Sequence, residues 1–143
     1  MSLFSSLAVS ASGMAAQRTR AELITENLAN AETTRTPDGG PYRRKEAVFE
    51  TNGAPESFES VLQDSMVPGG VSVSSVNVDE DGVERRYQPG HPDADADGYV
   101  AYPRINPAEE MVDLMSASRG YQANIASMSA AKDMLQHSID LLR

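Results

Sequence analysis

The chain has 143 residues and a formal charge of −9, from 21 acidic and 12 basic side chains, with no tryptophan and no cysteine. That balance excludes the concentrated basic surface that phosphate backbones and anionic lipids require. The missing cysteines exclude disulfides, thiolate metal sites and cysteine nucleophiles, and two histidines leave little for a histidine-built site.

Helix breakers are segregated along the chain. Seven of the eight prolines and eight of the ten glycines lie between residues 36 and 103. Residues 46–98 carry twelve acidic and two basic side chains, so the flanks are almost neutral. The pattern predicts two helical arms, 1–35 and 104–143, around an acidic, β-rich insert, 36–103.

In the first arm, Leu7, Met14, Ala21 and Leu28 recur every seven residues, and Leu3, Ala11, Ile24 and Ala31 widen the stripe along one helical face. Arg18 falls beside it. Good helix formers run to about Ala31, where Thr33, Thr34 and Pro37 stop the helix. No basic residue precedes Arg18, and serines interrupt Leu3, Phe4, Leu7, Ala8 and Val9, so a cleaved secretory signal is not expected. No run approaches the ~20 apolar residues of a membrane span.

Turn signals punctuate the insert at Pro37-Asp38-Gly39-Gly40 and Pro68-Gly69-Gly70. The strand candidates of the insert are Ala47 to Thr51, Val71 to Val78, Val83 to Gln88 and Tyr99 to Pro103, each with β-branched or aromatic residues. Ser57 to Met66 is ambiguous and fits one or two helical turns.

The second arm is the more regular. Met111, Leu114, Ser118, Tyr121, Ile125, Met128, Lys132, Leu135, Ile139 and Leu142 alternate by three and four, a heptad seam with two polar interruptions. Asn106 suits the N-cap, Pro107 the first helical position, and Glu109 and Glu110 face the positive end of the helix dipole. Each arm makes a rod of ~50 Å at 1.5 Å per residue. Matched lengths predict that the ends pair. The expected fold is mainly α with a small β-rich insert, its terminal helices forming a coiled-coil-like α hairpin.

Few residues suggest chemistry. Asp93, Asp95, Asp97 and Gly98 match the first half of a calcium loop, but the bidentate glutamate position is Arg104 and Pro103 blocks the following helix. An Asp-stabilised turn is the competing reading. Ser129 and Lys132 fit an acylation motif that lacks its partners. His137, Ser138 and Asp140 crowd one helical turn and cannot align as a triad. His91, between Gly90 and Pro92, reads as a turn residue. Arg43, Arg44 and Lys45, the one basic cluster, are expected to meet carboxylates of the chain or of a neighbour.

What remains is the arms. They are rich in alanine and serine, each of which buries little area, and they lack a third element to cover their outer faces. An assembly module fits better than a self-contained hairpin. Its expected interface comprises Leu7, Met14, Ile24, Leu28, Met111, Leu114, Tyr121, Ile125, Met128, Leu135, Ile139 and Leu142.

Several segments are specific. Ala11-Ser12-Gly13-Met14-Ala15-Ala16-Gln17-Arg18, followed by Glu26-Asn27-Leu28-Ala29-Asn30-Ala31-Glu32-Thr33-Thr34, resembles the N-terminal signature of the flagellar rod and hook proteins. Thr36 to Lys45, His91 to Tyr99, Glu109 to Asp113 and Ser118-Arg119-Gly120-Tyr121-Gln122-Ala123-Asn124 narrow the resemblance to the proximal-rod branch. Pro107 and Gly120 depart mildly from the pattern. The resemblance implies a structural subunit of the periplasmic rod, with no catalytic, cofactor or metal site. It implies export through the flagellar type III apparatus without signal cleavage. It also implies helical co-assembly with its own copies and with FlgB, FlgF, FlgG and FliE, and no contact with nucleic acid or insertion into membrane. Two other classes keep a discriminator. Another exported coiled-coil component would lack the Asn27-Leu28-Ala29-Asn30 block, and a calcium-dependent binding module would need Asp93, Asp95 and Asp97.

Overall fold

A computed structural model describes residues 3–52 and 69–141, the side chain of Leu3 excepted. The element order is α1 (Leu3–Ala29), β1 (Lys45–Asn52), β2 (Gly70–Val78), β3 (Val83–Tyr87), β4 (Tyr99–Pro103) and α2 (Pro107–Asp140). Two helices therefore flank a small β region of two two-stranded sheets, β1–β2 and β3–β4. Both sheets are antiparallel. Asp79 donates to the Arg44 carbonyl while Ser72 reaches Asn52, and Val83 pairs with Pro103 while Tyr87 pairs with Tyr99.

The four strand candidates all form, with ends displaced by no more than two residues. The ambiguous segment Ser57 to Met66 lies outside the described residues. α1 ends at Ala29, slightly before the expected Ala31. The cause is local: the Asn30 side-chain amide donates to the Glu26 carbonyl at 2.9 Å, and the Thr33 hydroxyl donates to Asn30 Oδ1 at 3.1 Å. These bonds divert the chain into a turn. At the start of α2, Asn106 Oδ1 accepts the Ala108 N–H at 3.1 Å, the N-cap bond expected of it.

The chain divides into two compact units, and the boundary runs through both helices. One unit comprises Met1–Thr19, Val48–Ser75 and Ala117–Arg143; the other comprises Arg20–Ala47 and Val76–Ser116. In the first, α1 and α2 lie side by side and antiparallel. Gly13 sits against Asn124, and Gly120 against Gln17. Its buried residues, among those described, are Ser10, Ala16, Ala117 and Ala131, all small. The second unit holds the larger buried side chains: Ile24, Tyr42, Val100, Tyr102 and Pro103, together with Asn27 and Glu110. There β4 turns Val100 and Tyr102 inward, as a strand's two-residue period dictates.

Candidate assembly site

The second unit is organised by a polar cluster. Asn27, with no exposed surface, stands two residues before the end of α1. Its Nδ2 donates to the Lys45 carbonyl at 2.9 Å and to Glu110 Oε2 at 3.3 Å. Its Oδ1 accepts the Lys45 N–H at 2.9 Å and the Tyr42 hydroxyl at 3.0 Å. All four hydrogen-bonding positions of the amide are used, the condition under which a polar side chain can be buried without penalty. Three segments, the end of α1, the start of β1 and the first turn of α2, are thereby tied at one residue.

Glu110, 2% exposed, is the charged member. Its Oε1 accepts Arg44 Nε at 2.6 Å, and that hydrogen bond holds the Arg44 pKa above its usual value against the opposing effect of burial. Arg44 also reaches Glu46 at 3.6 Å and Asp113 at 3.8 Å, while Arg20 approaches Asp113 at 3.5 Å. Lys45 pairs with Glu26 at 2.5 Å. Burial, then the charge and hydrogen bond of Glu26 and the charge of Glu110, push the Tyr42 hydroxyl up to about 12. The basic cluster is thus met partly within the chain. Arg44 and Lys45 find carboxylates, and Arg43 Nη1 is buried without a hydrogen-bond partner among the described residues.

Asn30 bonds to its own turn, as described above. The aspartates of the calcium-like segment build a turn. Asp95 Oδ1 accepts the N–H groups of Asp97 at 3.0 Å and Tyr99 at 2.8 Å, around Gly98 at φ 79°. Asp93 accepts the Thr34 hydroxyl at 2.8 Å and lies 3.7 Å from Arg35. Among the described residues no group of three His, Cys, Asp or Glu side chains converges as a metal site. His91 Nδ1 accepts the Asp93 N–H at 3.1 Å, and His137 Nδ1 meets the Asp133 carbonyl at 2.8 Å.

The helical faces are informative. On α2 the buried positions are Glu110, Ala117 and Ala131, a spacing of seven and fourteen, with half-buried Asn124 between them. One half of the apolar seam, Met111, Ile125 and Ile139, lies one position C-terminal to that line, and the other half, Leu114, Tyr121, Met128 and Leu135, lies four positions on. Met111, Tyr121, Ile125 and Ile139 are exposed, and Leu114, Met128 and Leu135 are half-buried. Leu142 lies outside the described residues. One position is about 100° of helix and four positions about 40°, so Met111, Ile125 and Ile139 point away from the small-residue line while Leu114, Met128 and Leu135 border it. On α1, Ile24 is buried, and Leu7, Met14 and Leu28 are half-buried. Of the signature residues, Ser12 and Gly13 are half-buried and Ala29, Gln122 and Ala123 are exposed.

Sequence reasoning assigned Glu110 only to the helix dipole and did not find Tyr42, Arg20 or Asp113. The signal in the sequence was a glutamate in the first turn of a helix and, 66 residues earlier, a segment carrying two adjacent arginines. Nothing in linear order tells which of Glu109 and Glu110 faces inward.

The family described as "Flagella basal body rod protein" matches residues 7–35, and "Flagellar basal body rod FlgEFG protein C-terminal" matches residues 96–141. The chain is similar to the flagellar basal-body rod protein FlgC of Bacillus subtilis, at 41% identity over 99% of both chains. It is 40% identical to FlgC of Salmonella typhimurium, covering 99% of this chain and 98% of the relative. For FlgC of Borreliella burgdorferi the values are 39% identity, 100% and 99%. On these end-to-end matches the chain belongs to the FlgC family of flagellar basal-body rod proteins, structural subunits of the rod and not enzymes.

Proposed function

We propose that the chain is a proximal-rod subunit that polymerises through its terminal helices into the tubular shaft carrying torque to hook and filament. One observation carries this reading. α2 spends a small and polar line on its neighbour within the chain and leaves Met111, Tyr121, Ile125 and Ile139 of its apolar heptad seam exposed, with Leu114, Met128 and Leu135 half-buried. Isolated apolar side chains are normal on a surface, but a seam sustained over four heptads is the form in which helices recognise other helices.

In this reading the arms, 1–35 and 104–143, pair in coiled-coil fashion in the inner wall, and the insert, 36–103, lies outside. Leu7, Met14 and Leu28 on α1 and the α2 seam form the subunit interface, while Ile24, expected there, is spent in the chain's own core; the motif residues Gln122, Ala123 and Asn124 border the seam. Contacts related by a helical operator are heterologous, so they grow into a tube without closing. The neighbours are further copies and the rod proteins FlgB, FlgF, FlgG and FliE, in the periplasm. The chain arrives unfolded through the flagellar type III apparatus with no signal cleaved. Arms with so little buried area keep it exportable, and assembly supplies the missing packing surface.

Replacing Leu114 and Leu135 together by aspartate tests the interface. Expression persists, while the chain disappears from purified basal bodies and motility is lost. Normal swimming by this variant would refute the assignment.

A further inference from the structure

One face of the β3–β4 sheet is exposed along Arg85, Tyr87 and Tyr99, whereas Pro103, on the same face at its far end, is buried. Cross-strand register places Arg85 opposite Ala101 and Tyr87 opposite Tyr99 on this face, while Glu84 and Arg86 alternate to the other, where Tyr102 and Val100 are buried. Tyr87 is 66% and Tyr99 43% exposed. The rings are nonetheless held: their centroids lie 5.3 Å apart at 64°, and a Cβ on Gly98 would come within 3.0 Å of Tyr87 Cε2. Arg85 beside them makes no hydrogen bond or ion pair among the described residues, whereas Arg86 reaches Glu84 at 3.4 Å and lies over the Tyr102 ring. Preorganised tyrosines next to an unpaired arginine are the composition of an interface hot spot, because rigid rings lose little entropy on binding.

The complementary feature stands at the opposite end of the same strand. The turn before β3 reads Asp79-Glu80-Asp81-Gly82, and its shape is fixed from within. Asp79 Oδ1 accepts the Asp81 N–H at 3.2 Å, the Val83 N–H donates to the Asp81 carbonyl at 2.8 Å, and Arg104 Nη2 donates to the same carbonyl at 3.1 Å. A Cβ on Gly82 would collide with the Asp79 carboxylate. Glu80 is exposed at the tip and has no partner among the described residues. From Val83 to Tyr87 the strand rises about 14 Å. Each copy thus carries an acidic tip at one end of β3 and an Arg–Tyr face at the other.

We infer that the Arg85–Tyr87–Tyr99 face receives the Asp79–Asp81 turn of a second copy of this chain, a head-to-tail contact between inserts. The argument for this occupant is charge. Arg85 is one of only two cations in residues 46–98, which hold twelve carboxylates. Adjacent copies of so acidic a segment repel one another unless a cation meets a carboxylate at their contact. Tip and face are different surfaces, so the contact propagates from copy to copy, as an open-ended assembly needs. The inference rests on the reading of the chain as a polymerising rod subunit and adds a second contact, made by the insert.

The test is a charge swap in motile cells, paired with crosslinking. Arg85→Glu and Glu80→Arg each lower the yield of assembled rods about tenfold, the loss of one cross-interface charge pair, and the double variant returns to within about twofold of the wild type. A double variant no better than its singles overturns the contact. Because the chain has no cysteine, Glu80→Cys/Arg85→Cys can be oxidised in purified basal bodies without background, and a ladder of dimers and larger species is expected. Rods that form and turn yet give no ladder overturn the insert contact and leave helical polymerisation standing. Dimers from either single cysteine variant indicate a two-fold contact, and a crosslink to another protein a different occupant; both overturn the inference. Absence of the wild-type chain from basal bodies refutes the underlying reading instead.

Discussion

Asn27 grafts a piece of β-strand onto the end of a helix. Its amide exchanges an N–H···O pair in each direction with Lys45, as the backbone of a facing strand residue would, and has one donor and one acceptor left for Glu110 and Tyr42. The cluster is sensitive at its charged member, since Glu110 is buried and leans on Arg44. Arg44→Ala is expected to destabilise the folded chain by about 3 kcal/mol, the cost of leaving a buried charge unpaired, and adding Glu110→Gln to recover much of that loss. Urea unfolding of the variants measures both. Tyr42 adds a pH signature. Its folded-state pKa is raised from 10.0 to about 12, so the neutral phenol is the form the fold stabilises. That stability is fully present below pH 10 and is lost as pH rises from 10 through 12. Tyr42→Phe removes this component of the alkaline slope in the unfolding midpoint, and an unchanged slope would place the titration elsewhere.

At the scale of elements, the two helices meet through glycine and amide. α1 offers Gly13 and Gln17, α2 offers Gly120 and Asn124, and each glycine receives the other helix's amide. Both pairs are spaced i, i+4, so they share a face and fix the antiparallel register. Alanine at position 13 would gain up to about 1 kcal/mol of helix propensity. Its Cβ, however, would lie 2.9 Å from Asn124 Oδ1, and overpacking of this kind costs about 1–3 kcal/mol. Gly13→Ala should therefore reduce rod assembly, and Gly13→Ala/Asn124→Ala should restore it; swimming-plate diameter reads the result. At Gly120 the nearest atom is Gln17 Cδ at 3.2 Å, a looser contact in which alanine costs less.

For the whole molecule, the difference between the units is one of side-chain size. Burying Ile24, Tyr42, Val100 and Tyr102 stabilises one unit by far more than burying Ser10, Ala16, Ala117 and Ala131 stabilises the other, because the effect scales with apolar area. Backbone entropy per residue is the same for both. Amide exchange on the monomer should accordingly show residues 20–29 and 99–116 protected at least about 100-fold more than residues 3–19 and 117–141. Incorporation into rods should remove that contrast. Uniform protection in the monomer would mean that the helices need no neighbour to order them.

Local and periodic features were legible in the sequence. Proline and glycine placement marked the insert, β-branched and aromatic residues marked all four strands, and Asn106-Pro107 marked the start of α2, because each is set by a residue's own conformational preferences and near neighbours. The signature around Asn27 and Asn30 identified the family by its resemblance to the rod and hook proteins. Tertiary structure decided which helical face is spent inside the chain. An apolar seam is visible in sequence, but the small-residue line beside it wins the intrachain contact because it lets the backbones approach closely. Only the fold could pair Glu110 with Arg44, 66 residues away, or give Asn27 its four partners. A polar residue's burial depends on donors and acceptors that distant segments bring, and linear order does not record them.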